Sequence, residues 1–450
     1  MKQKIQLSDH FGYGRLIRFT IPSILMMIFT SIYGVVDGFF VSNYVGKTAF
    51  AAVNFIMPFL MIVGAIGFMF GAGGSALIAK TMGEGEKEKA NNIFSLIVFS
   101  TFICGFAIAV LSIVFLRPIA ILLGADGVML DDCVLYGRVI LAALPFLMLQ
   151  YAFSSLVVAA EKPKLGLAVT VIAGIVNMIG DALFMAFFRW GVFGAALASA
   201  LGQTMGGLIP LIYFAVKNSS SLKISRPKWD GRSLAKVCIN GSSELMSNIS
   251  MSFVGMLYNA QLMKYAGEDG VAAYGTIMYV NFIFLAIFIG YTTGTAPIVS
   301  YHYGAGNKEE LNSLLKKSSA IIFISSAAMF AVSKFMSYPL AKIFVGYDAG
   351  LLEMTAHAFD IYAFSFLFAG VSIYGSGFFT ALNDGLTSAL ISFLRTLLFQ
   401  SAAVLIMPLI WGLDGIWYSG VAAELMAVAV TIVFLIVWNK KYGYWPKKKA

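Results

Sequence analysis

Long apolar blocks with almost no charge limit what this chain can fold into more than any other feature. Each block is roughly 20 to 30 residues long, enough to cross a hydrocarbon core about 30 Å thick at 1.5 Å per residue. A soluble domain carries about a quarter charged residues, whereas only 12% of this chain is charged and 59% is hydrophobic. Within lipid such blocks must be helical, because no water satisfies free backbone groups. We therefore predict an all-α integral membrane protein.

The blocks predict twelve membrane-spanning helices in two sets of six. The first set is 15–44, 51–79, 91–116, 134–158, 165–188 and 191–216. The second set is 236–263, 272–302, 313–335, 355–381, 386–409 and 414–438. The first block is too long for a signal-peptide core, so we expect it to remain as the first helix.

The net charge is +9, and the basic residues are distributed as the topology of these spans predicts. With the amino terminus in the cytoplasm, most of the 31 Lys and Arg fall on the cytoplasmic side, in the clusters Lys2–Arg18, Lys80–Lys89, Lys217–Lys236 and Lys440–Lys449. This is the positive-inside bias of membrane proteins. It accounts for the basic charge without a nucleic-acid partner, and it predicts a multi-pass protein of the cell inner (plasma) membrane with both termini cytoplasmic.

Cysteine and histidine give no sign of a metal centre or a disulfide framework. The cysteines form no CxxC pair and the histidines share no metal-binding spacing, the positions being Cys104, Cys133, Cys238, His10, His302 and His357. We expect no cofactor, no structural metal and no obligatory disulfide.

The sequence repeats itself at an offset of 221 residues. GEGEKEKANN, from Gly83, matches GAGNKEELNS, from Gly304, and Gly194 matches Gly415 in the same register. Six spans per half is an even number, so both halves enter the membrane from the same side and the repeats are parallel. We predict an amino-terminal lobe at 1–216, a cytoplasmic linker at 217–235 and a carboxy-terminal lobe at 236–450. Rocking of two such lobes about a central cleft gives alternating access, which favours a transporter.

Neither glycine-rich stretch of the first lobe resembles a nucleotide site. GAGGSA, from Gly71, and GEGEKE, from Gly83, do not follow a strand or end in Gly-Lys-Ser/Thr. The first stretch is more typical of close helix packing, and the second of a cytoplasmic turn. Without a nucleotide site, we expect an ion gradient to drive transport.

A third glycine-containing segment lies in the eighth span, where Gly290, Gly294 and Pro297 look like a flexible element.

Ionisable residues inside the spans are costly and are therefore candidates for function. They are Asp37, Asp181, Glu244, Arg395 and Glu424, with Asp360 near the end of a span. Asp181 of the fifth span shares a helix face with Asn177, four residues earlier. If the first span packs against the fifth, two carboxylates and an amide converge in an apolar pocket. Such a group can take up a proton or coordinate sodium.

The second lobe offers a different set of charges. Glu244 is placed at the start of the seventh helix, where it either holds a cationic substrate or interacts with the helix dipole. Arg395 and Glu424 can pair with each other. The 22 Met, 39 Phe and 20 Tyr suit a hydrophobic or cationic small-molecule ligand, although most of these side chains must face lipid or pack helices.

Three segments together resemble the multidrug and toxic compound extrusion (MATE) transporters, near their MepA-like bacterial branch. IYGVVDGFFVSNYVG (32–46) is similar to the first-helix pattern with its acidic residue, and IVNMIGDALF (175–184) to the fifth-helix Asn and Asp. EKPK (161–164) resembles the turn before that helix. The resemblance covers nearly the whole chain and implies two parallel six-helix lobes.

The same resemblance implies export of drugs and organic cations in exchange for protons or sodium. It also implies that Asp37, Asn177 and Asp181 form a cation site, which Ser199 completes by its position in the sixth helix. We expect a monomer in the lipid bilayer with small-molecule drugs as its partners.

Two other functions remain as alternatives. A lipid-linked oligosaccharide flippase of the same superfamily needs several basic residues inside the spans to hold pyrophosphate, and here only Arg395 lies clearly within one. A receptor or membrane enzyme needs a soluble sensing domain or a catalytic constellation, and the sequence contains neither. Both are less favoured than the antiporter.

Overall fold

The computed structural model describes residues 5–445, apart from the side chains of residues 35, 42 and 47–49. Its first seven α-helices are α1 (Tyr13–Tyr44), α2 (Lys47–Gly83), α3 (Lys87–Leu123), α4 (Gly127–Ala142), α5 (Leu144–Ala159), α6 (Pro163–Asp181) and α7 (Gly191–Ala215). The second half contains α8 (Gly231–Gly304), α9 (Lys308–Val345), α10 (Ala349–Tyr362), α11 (Phe366–Ala381), α12 (Gly385–Phe393), α13 (Gln400–Ile406), α14 (Pro408–Trp411) and α15 (Leu413–Tyr442). Two π-helical turns and a 3₁₀ turn continue these helices at Ala182–Phe187, Leu394–Phe399 and Ala363–Ser365.

These helices make twelve spans in the described part of the chain. Ten are long and apolar enough to cross a membrane singly, and α4 with α5 forms one more span, bent by 58°. A straight helix of 74 residues such as α8 would be about 110 Å long, far more than one membrane thickness. Its backbone leaves helical geometry at Gly267 (φ 61°, ψ −149°), which divides it into the seventh and eighth spans.

The predicted spans therefore agree in number with the structure and differ in their ends. The seventh span begins at Gly231, inside the segment predicted as linker, because Asp230 caps it by accepting hydrogen bonds from the amides of Arg232 and Ser233. Glu244 is consequently well inside this helix and not at its start. The division at 216 and 236 into two lobes and a linker stays a prediction.

Both ends of the described chain lie on one face of the bundle, which we call the terminal face. Here α1 begins at Tyr13 and α15 ends at Tyr442. Alternating spans bring the end of α2, the start of α3 and the end of α8 to this face, and Gly83 and Gly304 lie here at a close crossing of α2 and α8.

The two predicted lobes approach each other closely at glycines in the half of the membrane near the terminal face. A Cβ on Gly73 of α2 would lie 2.0 Å from the carbonyl oxygen of Val237, and one on Gly290 of α8 would lie 2.5 Å from the Cα of Ile24. The opposite half differs, since Gly34 of α1 and Gly275 of α8 have no neighbour within 4 Å of an added Cβ. The helices are therefore in close backbone contact near the terminal face, and at these two positions of the opposite half they are not.

The structure also bears on two predictions about glycine-rich segments. Gly71 packs against the backbone of Ala152, which confirms the GAGGSA stretch as a close-packing motif. Gly290 and Gly294, predicted to be a flexible element, instead press against α1, with a Cβ on Gly294 only 3.0 Å from Thr20. The missing side chains allow the two helices to approach closely at these positions, and the flexibility of the element stays a prediction.

Candidate ion-coupling and substrate sites

Small residues bring α1, α6 and α7 together around the acidic residues of the first lobe. A Cβ on Gly202 of α7 would lie 3.0 Å from the Cβ of Asn177, and one on Gly180 of α6 would lie 2.9 Å from Ala198. Gly174 of α6 similarly meets the ring of Phe29 in α1. The resulting short distances between helix axes place the side chains of the three helices within hydrogen-bond reach.

The four residues expected in the first-lobe site lie together in the structure. The Ser199 hydroxyl donates to Asp37 Oδ1 at 3.3 Å, and Asn177 Nδ2 donates to the Ser199 oxygen at 3.5 Å. Asp181 is fully buried and lies close enough to Asp37 for the two carboxylates to repel each other. We call these four residues the acidic site.

Three oxygen atoms of the acidic site are buried without a hydrogen-bond partner in the described part of the chain. They are both carboxylate oxygens of Asp181 and Oδ1 of Asn177. Asp181 is also the last residue of α6 before the π-helical turn Ala182–Phe187, a kind of helix irregularity that often occurs at functional sites. A proton or a cation would satisfy these oxygens.

Two tyrosines lie beside the acidic site, and sequence reasoning missed them. Tyr136 of α4 is buried and its side chain interacts with Ser199, while Tyr33 of α1 lies near Asp37 and interacts with Gln150. A tyrosine hydroxyl inside an apolar span could have indicated a residue of the site. The chain has 20 tyrosines, however, and the sequence does not separate these two from the rest.

Arg395 and Glu424 form a buried ion pair in the second half of the chain. Arg395 donates to Glu424 through Nε at 3.0 Å and through Nη2 at 2.8 Å, and both side chains are largely buried. This confirms the contact considered from sequence. Arg395 lies within the π-helical turn Leu394–Phe399, the second such turn of the described chain.

Glu244 faces this pair from α8. It is half-buried and lies within electrostatic range of Arg395, but no residue of the described chain donates a hydrogen bond to its carboxylate. The rings of Tyr258 and Tyr274 stack beside the cluster with centroids 4.9 Å apart. Tyr258 also shares a 2.8 Å hydrogen bond with Ser419. The second lobe therefore holds a carboxylate and aromatic faces next to a neutralised ion pair.

Asp360 is separate from both clusters. At the end of α10 it forms an ion pair with Lys334 of α9, and both side chains are partly exposed. This contact explains the carboxylate near a span end without a role in ion binding.

An apolar cavity of about 400 Å³ lies between the lobes in the half of the membrane away from the terminal face. Its walls come from α1, α8 and α9, and its lining is entirely apolar, as in Ile32, Val36, Tyr279, Phe284, Met336 and Phe344. Val36 is the neighbour of Asp37 in the chain. The cavity thus borders the helix that carries the acidic site.

The relatives found among known proteins carry the same name, multidrug export protein MepA. Multidrug export protein MepA of Staphylococcus aureus (strain N315) is 24% identical over 432 residues, which cover 94% of each chain. MepA of Staphylococcus haemolyticus (strain JCSC1435) is 23% identical, covering 95% of this chain and 93% of that protein.

Solved structures match the whole architecture. A MATE crystal structure in complex with MaL6 superposes with a TM-score of 0.93 at 21% identity, covering 99% of this chain and 100% of that one. A multidrug resistance MATE family transporter of the MOP superfamily, in an outward-facing conformation, gives 0.92 at 22% identity with the same coverage. At this identity the structures establish the fold alone. The MatE family model itself matches residues 22–183 and 245–404, most of both lobes, and this protein therefore belongs to the MatE family.

Proposed function

We propose that this protein exports hydrophobic or cationic drugs by antiport, driven by a proton or a sodium ion that binds at the acidic site. The observation that carries the proposal is the set of three unsatisfied oxygens on Asp181 and Asn177, buried beside Asp37. Its relatives named multidrug export protein MepA support drugs as the cargo.

Burial makes ionised carboxylates in the acidic site costly. An ionised carboxylate without a partner in an apolar region costs several kcal/mol, and a second carboxylate nearby adds repulsion. A proton on one carboxylate removes the charge. A sodium ion instead satisfies the same oxygens, as carboxylate and carbonyl oxygens do in other transporters. Either ion stabilises the arrangement of α1, α6 and α7 that surrounds it.

Such stabilisation can be transmitted to the cleft through α1. This helix carries Asp37 in one half and packs against Gly290 and Gly294 of the other lobe in the other half. Ion binding can change the balance between open and closed cleft only if the ion binds the two states with different affinity. Because α1 takes part in both contacts, a movement of α1 that changes the acidic site also changes the contact with the other lobe.

The second-lobe cluster is proposed to hold the cationic part of the drug. Glu244 has a carboxylate to offer, while Arg395 and Glu424 neutralise each other and fix the surrounding helices. The stacked Tyr258 and Tyr274 present ring faces that attract organic cations. The apolar cavity, at about 400 Å³, is within the range of about 300–1,000 Å³ typical of drug-sized sites.

We further propose that the terminal face is cytoplasmic and that the protein works as a monomer in the plasma membrane, without enzymatic activity. The basic clusters at the amino terminus, the linker and the carboxyl terminus support this orientation. The charges inside the spans argue against a flippase, since Arg395 is already engaged by Glu424 and is not available to a pyrophosphate.

Dye efflux from inverted membrane vesicles tests the proposal. A sodium gradient and a proton gradient are imposed separately, and the gradient that drives dye movement identifies the coupling ion. Asp37→Asn and Asp181→Asn should each abolish the driven movement while the protein stays in the membrane. Glu353→Gln, which alters an exposed acid of α10, serves as the control and should leave efflux unchanged. Full efflux in both Asp variants would refute the role of the acidic site.

A further inference from the structure

The residues before α1 form a non-helical segment on the terminal face, with a turn closed by a hydrogen bond from the Asp9 amide to the Gln6 carbonyl. Leu7 and Phe11 are fully buried, while Ser8 and His10 between them, and Gln6 before them, are exposed. The ring of Phe11 also makes an edge contact with Phe19 of α1, with centroids 6.0 Å apart. Two buried apolar anchors show that this segment is packed onto the bundle.

One end of the segment is held by the first lobe. The Leu7 amide donates to Glu161 Oε1 at 2.9 Å. Glu161 lies in the turn between α5 and α6 and has φ 58°, in the left-handed region that non-glycine residues rarely adopt. It is the first residue of the EKPK turn, which has no part in the acidic site.

The other end is held by the second lobe through Glu310 of α9. Glu310 Oε1 accepts from the Phe11 amide at 2.9 Å, and Oε2 contacts His10 Nδ1 at 2.6 Å. Lys317, two turns further along α9, donates to the Phe11 carbonyl at 2.6 Å. Glu310 is itself buried, with 6% of its side chain exposed. His302, at the end of α8, lies against the backbone of Leu7 and Asp9.

The first repeat holds the linker before α8 in a related way. The linker that leads into α8 is held by the start of α3, where Asn91 and Asn92 accept from the amides of Lys223 and Lys228. Each lobe thus fastens the segment that enters the other lobe. Glu310 corresponds to Lys89 at the 221-residue offset, so the equivalent position near the linker has no carboxylate.

We propose that residues 5–12 act as a strap that holds the terminal face closed, with Glu310 as the positioning residue on which the strap fastens. The segment contacts Glu161 in one lobe and Glu310 and Lys317 in the other, so separation of the lobes at this face must break one set of contacts. The strap therefore favours the state in which the cleft is open on the opposite face, and its release accompanies opening of the terminal face.

Distance measurement between two spin labels tests the strap directly, without a transport assay. Labels on Lys164→Cys and Leu386→Cys, in a background free of the native cysteines, report the separation of the lobes at the terminal face. Both positions are exposed, near the starts of α6 and α12, and outside the strap. Glu310→Ala should raise the population of the longer distance at least twofold. Glu310→Gln keeps an acceptor for the Phe11 amide and should restore most of the shorter-distance population.

Glu309→Ala is the matched control, because it removes the same charge from an exposed neighbour outside the strap contacts. It should leave the distances unchanged. Lys317→Met removes the contact with the Phe11 carbonyl and provides a second variant if Glu310→Ala does not fold. A lower melting temperature with wild-type distances in both variants would overturn the proposal, since the contacts would then be structural only.

Discussion

A Cβ added to Gly83 would lie 2.1 Å from the carbonyl oxygen of Tyr301, so the second and eighth spans cross there with their backbones in contact. The same crossing places Gly304, the repeat partner of Gly83, against the carbonyl oxygen of Lys80. Two glycines at equivalent positions of the repeat thus form one contact between the lobes.

Gly83→Ala should weaken closure of the terminal face. The added methyl group cannot fit without separation of the two helices, and overpacking of this kind costs about 1–3 kcal/mol. The measurement is the population of the longer distance between labels at positions 164 and 386, which should rise. Gly275→Ala introduces the same group where no atom lies within 4 Å and should have no effect. Equal behaviour of the two variants would contradict the role of this crossing.

Arg395 and Glu424 should behave as a coupled pair in unfolding experiments. Removal of one partner leaves a buried charge uncompensated, at a cost of about 3–5 kcal/mol. We expect Arg395→Met and Glu424→Leu each to lower the melting temperature of the detergent-solubilised protein strongly. The double variant should lose less than the sum of the two. Strict additivity would show that the two side chains do not stabilise each other.

Ser199→Ala should weaken ion binding without abolishing transport. The hydroxyl donates one hydrogen bond to Asp37, and loss of a bond to a charged group costs about 1.5 kcal/mol, close to tenfold in affinity. Efflux rates measured against the concentration of the coupling ion should show this shift in half-saturation. Thr204→Val is the control, since its hydroxyl bonds only to Ala200 of its own helix. An unchanged half-saturation in Ser199→Ala would place Ser199 outside the ion site.

Asp230 should stabilise the start of α8 in a pH-dependent manner. The Ser233 hydroxyl and amide hydrogen-bond to this carboxylate and hold its pKa below the usual value. A lowered pKa means that the stabilisation is complete above about pH 3.9, the unfolded value. It is lost as pH falls through the folded pKa.

Hydrogen exchange of the first-turn amides of α8 measures this cap. Asp230→Ala should speed their exchange at neutral pH by an amount equivalent to about 0.5–2 kcal/mol. The difference between variant and wild type should shrink under strongly acidic conditions. A difference that stays constant as the carboxylate is protonated would rule out the charged form as the source.

Much of the fold could be read from the sequence because its determinants are local. The length and polarity of each apolar block fix a membrane helix, and the GEGEKEKANN and GAGNKEELNS turns reveal the duplication. The acidic residues were identified for a similar reason, since a carboxylate in an apolar span is unusual wherever the helix lies.

Contacts between helices depended on the tertiary structure. Nothing in the sequence separates Gly290, which packs against Ile24, from Gly275, which touches no neighbour, because the difference lies in where another helix crosses. Tertiary packing likewise brings Tyr136 to Ser199 and Leu7 to Glu161, across many residues of chain. The sequence by itself determined which segments lie in the membrane and which charges they bury. The tertiary structure decided which of those groups meet, since the partners come from different helices.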